Sequence, residues 1–111
     1  MAFHRACALD ELKDDAALGV TVQDQDLALA RHGDEIFAVE DICSHAAVAL
    51  SEGDVEDCTV ECWLHGSRFD LRTGKPTGLP ATEPVATFPL EVRVDDIYVD
   101  TTTTLNGVTP S

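Results

Sequence analysis

Basic residues are scarce in this chain. Only 7 of its 111 residues are Lys or Arg against 21 Asp or Glu, for a formal net charge of -14. So acidic a surface repels nucleic-acid phosphates and anionic membranes, which excludes both as partners, and it suits a basic protein partner. Long hydrophobic runs are missing too: 44% of the residues are hydrophobic, which is material for a core, yet no stretch is long enough to cross a bilayer. The opening Met1-Ala2-Phe3-His4-Arg5 leads into an acidic segment at residues 10–15 without the apolar region of a secretory signal, so the expected location is the cytoplasm. Cysteine is limited to four residues, and in a reducing compartment these are expected as metal ligands or thiols rather than disulfides. No nucleophile–base pair or nucleotide-binding loop stands out, so no catalytic residue is assigned.

What is present is a pair of short motifs, Cys43-Ser44-His45 and Cys62-Trp63-Leu64-His65. Two compact loops could each offer one thiolate and one imidazole to a shared centre. Two sulfur and two nitrogen donors suit a tetrahedral zinc ion or a [2Fe–2S] cluster whose second iron is held by histidines.

The residues around the motifs tilt the choice towards the cluster. C-x-H followed by C-x-x-H-G-S-x-F-D, here Cys62 through Asp70 with Arg68 at the free position, resembles the Rieske iron–sulfur proteins. Within them the chain is most similar to the small ferredoxins that feed Rieske-type oxygenases, over roughly residues 1–100. The resemblance implies one [2Fe–2S] cluster, with Cys43 and Cys62 on the inner iron and His45 and His65 on the outer, and a proline-containing covering loop at about residues 74–81 that includes Pro80. Replacing two thiolates by neutral imidazoles makes the oxidised cluster formally neutral and so easier to reduce.

Further residues gain expected roles by the same resemblance. Ser67 is placed to donate to a bridging sulfide. Phe69 stands where the high-potential branch has a tyrosine, and Val48 and Leu64 stand where that branch has an extra cysteine pair. With fewer donors to the sulfurs, the expected potential is on the order of -150 mV. Trp63, at the tip of the second loop, either shields the cluster or docks a partner. Cys7 and Cys58 fall outside the motifs and are read as core residues, and His4 and His32 as solvated.

The implied function is one-electron transfer, not catalysis: from an NAD(P)H-dependent flavin reductase to a terminal Rieske non-heme iron oxygenase, by a protein monomeric in solution. At 111 residues the chain has no room for the mononuclear-iron domain of an oxygenase catalytic subunit. The alternatives are an accessory Rieske protein in cluster assembly or redox sensing, a small subunit of a reductase complex, and a zinc-binding interaction module.

Taken in order, the chain reads as short strands. Residues 3–8 suggest a first strand followed by a turn at residues 9–12. Residues 20–22 alternate as a half-buried strand, and residues 27–31 and 35–39 flank the loop His32-Gly33-Asp34. Strands at residues 58–62 and 67–71 would carry Cys62 and His65 at a hairpin tip. Gly74, Pro76, Gly78, Pro80 and Pro84 mark a long connection, and Leu90, Val92 and Val94 alternate before a turn at Asp95-Asp96. About eight strands predict an all-β, antiparallel sandwich or barrel, to which the resemblance adds a small inserted cluster-binding subdomain with loops at about residues 43–48 and 62–67. This is one domain over residues 1–100, followed by a polar, loosely ordered tail at residues 101–111.

Overall fold

The computed structural model describes residues 3–43, 48–64, 66–78 and 81–110. These hold ten strands: β1 (Phe3–Ala8), β2 (Ala16–Val22), β3 (Gln25–His32), β4 (Glu35–Glu40), β5 (Val55–Glu56), β6 (Thr59–Glu61), β7 (Arg68–Asp70), β8 (Thr87–Phe88), β9 (Leu90–Arg93) and β10 (Asp96–Asp100), with single 3-10 turns at Leu9–Glu11 and Leu50–Glu52. They form three antiparallel sheets, ordered β1-β10-β9, β2-β3-β4-β8 and β5-β6-β7. The third sheet is inserted in the chain between β4 and β8. The all-β antiparallel expectation therefore holds. Among the described residues no helix is long and apolar enough to cross a membrane.

The inserted sheet and the rest are joined through β3, whose Leu27, Ala28, Leu29 and Ala30 are all fully buried. Successive strand side chains point to opposite faces, so an unbroken apolar run means a strand covered on both sides. Leu27 and Leu29 join Cys7, Phe88, Ile97 and Val99 in one core. Ala28 and Ala30 turn the other way, into a second core with Val55, Val60, Phe69, Cys43 and Cys62. On β4, Ala38 and Val39 divide between the two cores in the same manner. Burying a leucine contributes roughly 1.5–3 kcal/mol, so the leucine face contributes more adhesion. The alanine face lets the inserted sheet approach closely.

Tight turns set the registers. Gln23 and Asp24 link β2 to β3, and Asp57 and Cys58 link β5 to β6, each pair with positive φ at both residues. That is the twist-matching two-residue hairpin, made here without the usual glycine. On β1 a register shift between Arg5 and Cys7 makes Ala6 a bulge and turns Cys7 into the core at 4% exposure.

Three expectations are corrected. The strand of Leu90, Val92 and Val94 turns one residue earlier than Asp95-Asp96, at Val94-Asp95, because Asp96 already pairs with Arg93. Leu90 packs inward, whereas Val92, on the edge strand β9, is 44% and Val94, in the turn, 92% exposed. Residues 101–110 are irregular yet tied down. The Leu105 amide donates to the Thr87 carbonyl at 2.8 Å, and Val108 packs on the leucine-face core. Finally, His32 is not simply solvated: its Nδ1 lies 2.8 Å from a carboxylate oxygen of Asp15.

Candidate metal centre

Each motif cysteine opens a loop that its own backbone closes. The Cys43 amide donates to the Val48 carbonyl at 2.9 Å, and the Cys62 amide to the Ser67 carbonyl at 2.6 Å. Both bonds run from the cysteine to the residue five positions on, so the two loops have the same span. Within the second, the Gly66 amide returns to the Cys62 carbonyl at 2.9 Å, with Gly66 at φ +76, a conformation that favours glycine. This gives a physical reason for the Gly66 of the motif.

Rigid elements hold both loops. The first leaves the end of β4, where the Asp41 carboxylate accepts from the Ser51 amide and the Ser51 hydroxyl, both at 2.7 Å, bracketing the loop from outside. One residue earlier, Glu40 is 3% exposed, and its carboxylate accepts from the Ala86 amide at 2.8 Å. The second loop is the tip of the β6–β7 hairpin, with Glu61 opposite Arg68 in register. Those two side chains form an ion pair at 3.1 Å, and Arg68 also reaches the Thr59 hydroxyl at 3.3 Å. A cross-strand pair of this kind contributes a few tenths to 1 kcal/mol and fixes the base of the loop.

Cys43 and Cys62 are buried, at 2% and 0% exposure, in the same apolar core. Phe69 lies in that core, fully buried, opposite Val60. Val48 packs against it, whereas Leu64 is 43% exposed. Ser67 is 1% exposed, and its hydroxyl oxygen accepts from the Ala81 amide at 3.1 Å, tying the segment after Pro80 to the second loop. Trp63 is half exposed beside Leu64. His45, His65 and Pro80 lie outside the described residues.

The remaining cysteines keep structural surroundings. Cys58, in the β5–β6 turn, is 7% exposed, and Cys7 lies in the other core. Burial raises both thiols above their ordinary pKa; for Cys58 the nearby Arg72 guanidinium opposes the rise, and for Cys7 the Glu11 carboxylate adds to it. Neither thiol is activated. No disulfide joins the four cysteines.

Asp41, Ser51 and Glu40 went unnoticed in the sequence. Their partners are 10 and 46 positions away, and no local pattern signals them.

Two buried thiols, presented by matching loops and lying in one apolar core, fit the soft donors that an iron–sulfur cluster needs. Comparison with known proteins agrees. The family described as Rieske [2Fe-2S] domain matches residues 2–89. The 3-phenylpropionate/cinnamic acid dioxygenase ferredoxin subunit of Photorhabdus laumondii is 47% identical over 94 residues, covering 84% of this chain and 89% of that one. The ferredoxin of carbazole 1,9a-dioxygenase from Nocardioides aromaticivorans IC177 superposes with a TM-score of 0.84 at 35% identity, covering 89% of this chain and 97% of the other. The ferredoxin in a complex of reduced oxygenase and oxidized ferredoxin of carbazole 1,9a-dioxygenase superposes at 0.81 with 35% identity, covering 87% and 91%. The chain belongs to the Rieske [2Fe-2S] domain family.

Proposed function

We propose that this protein carries single electrons from a flavin-dependent, NAD(P)H-linked reductase to the Rieske centre of a terminal oxygenase. Cys43 and Cys62 hold one iron of its [2Fe–2S] cluster, and His45 and His65 hold the other. The observation that carries the reading is the pair of buried cysteines in equal loops, the second of which exposes Trp63 and Leu64. The names of the relatives as ferredoxin components of dioxygenase systems support the carrier role, and the oxygenase–ferredoxin complex supports the acceptor.

When bound, the cluster accepts one electron and gives it back. The protein supplies the surroundings. Cys43 and Cys62 anchor it in apolar packing that keeps water from the sulfur side, and Ser67 offers a hydroxyl at the second loop. Phe69, lacking a hydroxyl, offers none, which supports a potential at the low end of the Rieske range. Trp63 and Leu64 provide apolar contact area at the loop tip, where a docked partner shortens the path. The acidic surface steers towards basic partners.

One domain spanning roughly residues 1–100, a monomeric state and a cytoplasmic location belong to the same reading. The experiment is reconstitution of purified protein with such a reductase and oxygenase. Nicotinamide oxidation coupled to substrate hydroxylation should depend on this protein and slow as salt rises. Coupling at an undiminished rate without it would reject the carrier role.

A further inference from the structure

The side chain of Asn106 uses all its hydrogen-bonding capacity at one place. Its amide nitrogen donates to the Thr73 carbonyl at 2.9 Å and to the Val85 carbonyl at 2.8 Å. Its oxygen accepts from the Thr87 amide at 3.3 Å and the Val108 amide at 3.2 Å. A primary amide has two donor protons and two acceptor lone pairs; here each is matched.

Thr73 and Val85 bound the segment that the Ala81–Ser67 bond fastens to the Cys62 loop. At the neck of this segment the Val85 amide also donates to the Gly74 carbonyl at 2.9 Å. The neck leaves no room for a side chain: a Cβ on Gly74 would lie 2.1 Å from the Val85 carbonyl oxygen and 2.7 Å from the Asn106 amide nitrogen, and Gly74 has φ +77. Between its ends, Ala81 enters the core that contains Cys43 and Cys62. Asn106 itself lies beyond residues 2–89, the part matched by the family.

We propose that Asn106 is a positioning residue, a clasp that closes the neck formed by Thr73, Gly74 and Val85 and so holds Ala81 against Ser67 of the Cys62 loop, limiting the access of water and reagents to the cluster. The inference rests on the cluster being held by those loops. Spreading the neck apart breaks both Asn106 donor bonds, whereas the Val108 side chain packs on the other core and its truncation keeps the Val108 amide that donates to Asn106. The clasp therefore controls a local opening rather than global unfolding.

The test compares cluster-loaded wild type with Asn106→Ala and Val108→Ala in the full chain. In Asn106→Ala, exchange of the hydrogen-bonded Gly74, Ala81 and Val85 amides should rise about tenfold, equivalent to ~1.4 kcal/mol. Bleaching of the cluster absorbance by an iron chelator, well below the unfolding temperature, should rise in parallel, and the potential should shift upward as water reaches the cluster. Val108→Ala should lower the unfolding temperature and leave all three at wild-type values. If Asn106→Ala only lowers the unfolding temperature, or if Val108→Ala produces the same exchange and bleaching, the clasp is refuted. If Asn106→Ala does not fold, Asn106→Ser, which keeps one donor, should show a smaller rise; wild-type rates there also refute it. Wild type that takes up no cluster overturns the underlying reading instead, and exchange at the three amides still decides whether Asn106 fastens the neck.

Discussion

The Ala81 amide donates to the Ser67 hydroxyl at 3.1 Å across 14 positions of sequence, joining the long connection to the loop that begins at Cys62. Because the oxygen is occupied as acceptor, its single proton is directed elsewhere, and in the proposed reading it would go to a cluster sulfur. Ser67→Ala should therefore have two effects. It leaves the buried Ala81 amide without its acceptor, costing about 1–3 kcal/mol, and it lowers the reduction potential. Denaturant unfolding and a potentiometric titration check the pair, and an unchanged potential would remove Ser67 as a donor to the cluster.

Trp63 is 50% exposed, which favours docking over shielding. Trp63→Ala is expected to slow electron transfer to the oxygenase while the potential stays at its wild-type value. Transient kinetics beside voltammetry separates the two, since a shielding role would move the potential.

Val94 holds φ 56 in the β9–β10 turn and is 92% exposed. A β-branched residue with positive φ is strained by roughly 1 kcal/mol or more, and here no packing offsets it. Val94→Gly should stabilise the protein by about 1 kcal/mol, less the entropy that glycine adds to the unfolded chain. A lower denaturation midpoint would contradict this account of the turn.

Cys7 and Cys58 have thiols raised above their ordinary pKa of 9.0, chiefly by burial. The folded state thus retains protons that the unfolded chain releases. Their contribution to stability is fully present below about pH 9 and is lost as pH rises through the folded values. Unfolding midpoints should fall above pH 9, and the double variant Cys7→Ala, Cys58→Ala should fall less steeply.

The paired motifs were legible because metal ligation fixes residue types at short spacing, and the strands because period-two patterns and turn residues are local signals. The hairpin at Gln23-Asp24 was less visible, since neither residue is glycine and the pairing of β2 with β3 imposes the positive φ. Edge exposure of Val92 could not be seen in an alternation that looks the same for a buried strand. The anchoring of residues 105–108 draws on one asparagine, three of whose four partners lie 19 to 33 positions away. Such long-range satisfaction of a single amide leaves no periodicity to read.

The central claim is mixed histidine and cysteine ligation, and electron paramagnetic resonance of the dithionite-reduced protein tests it most directly. The account predicts a rhombic spectrum with an average g value below that of all-cysteine [2Fe–2S] ferredoxins, because imidazoles on one iron localise the electron differently from thiolates. A spectrum of the all-cysteine type, or a silent spectrum from colourless, zinc-loaded protein, would contradict it.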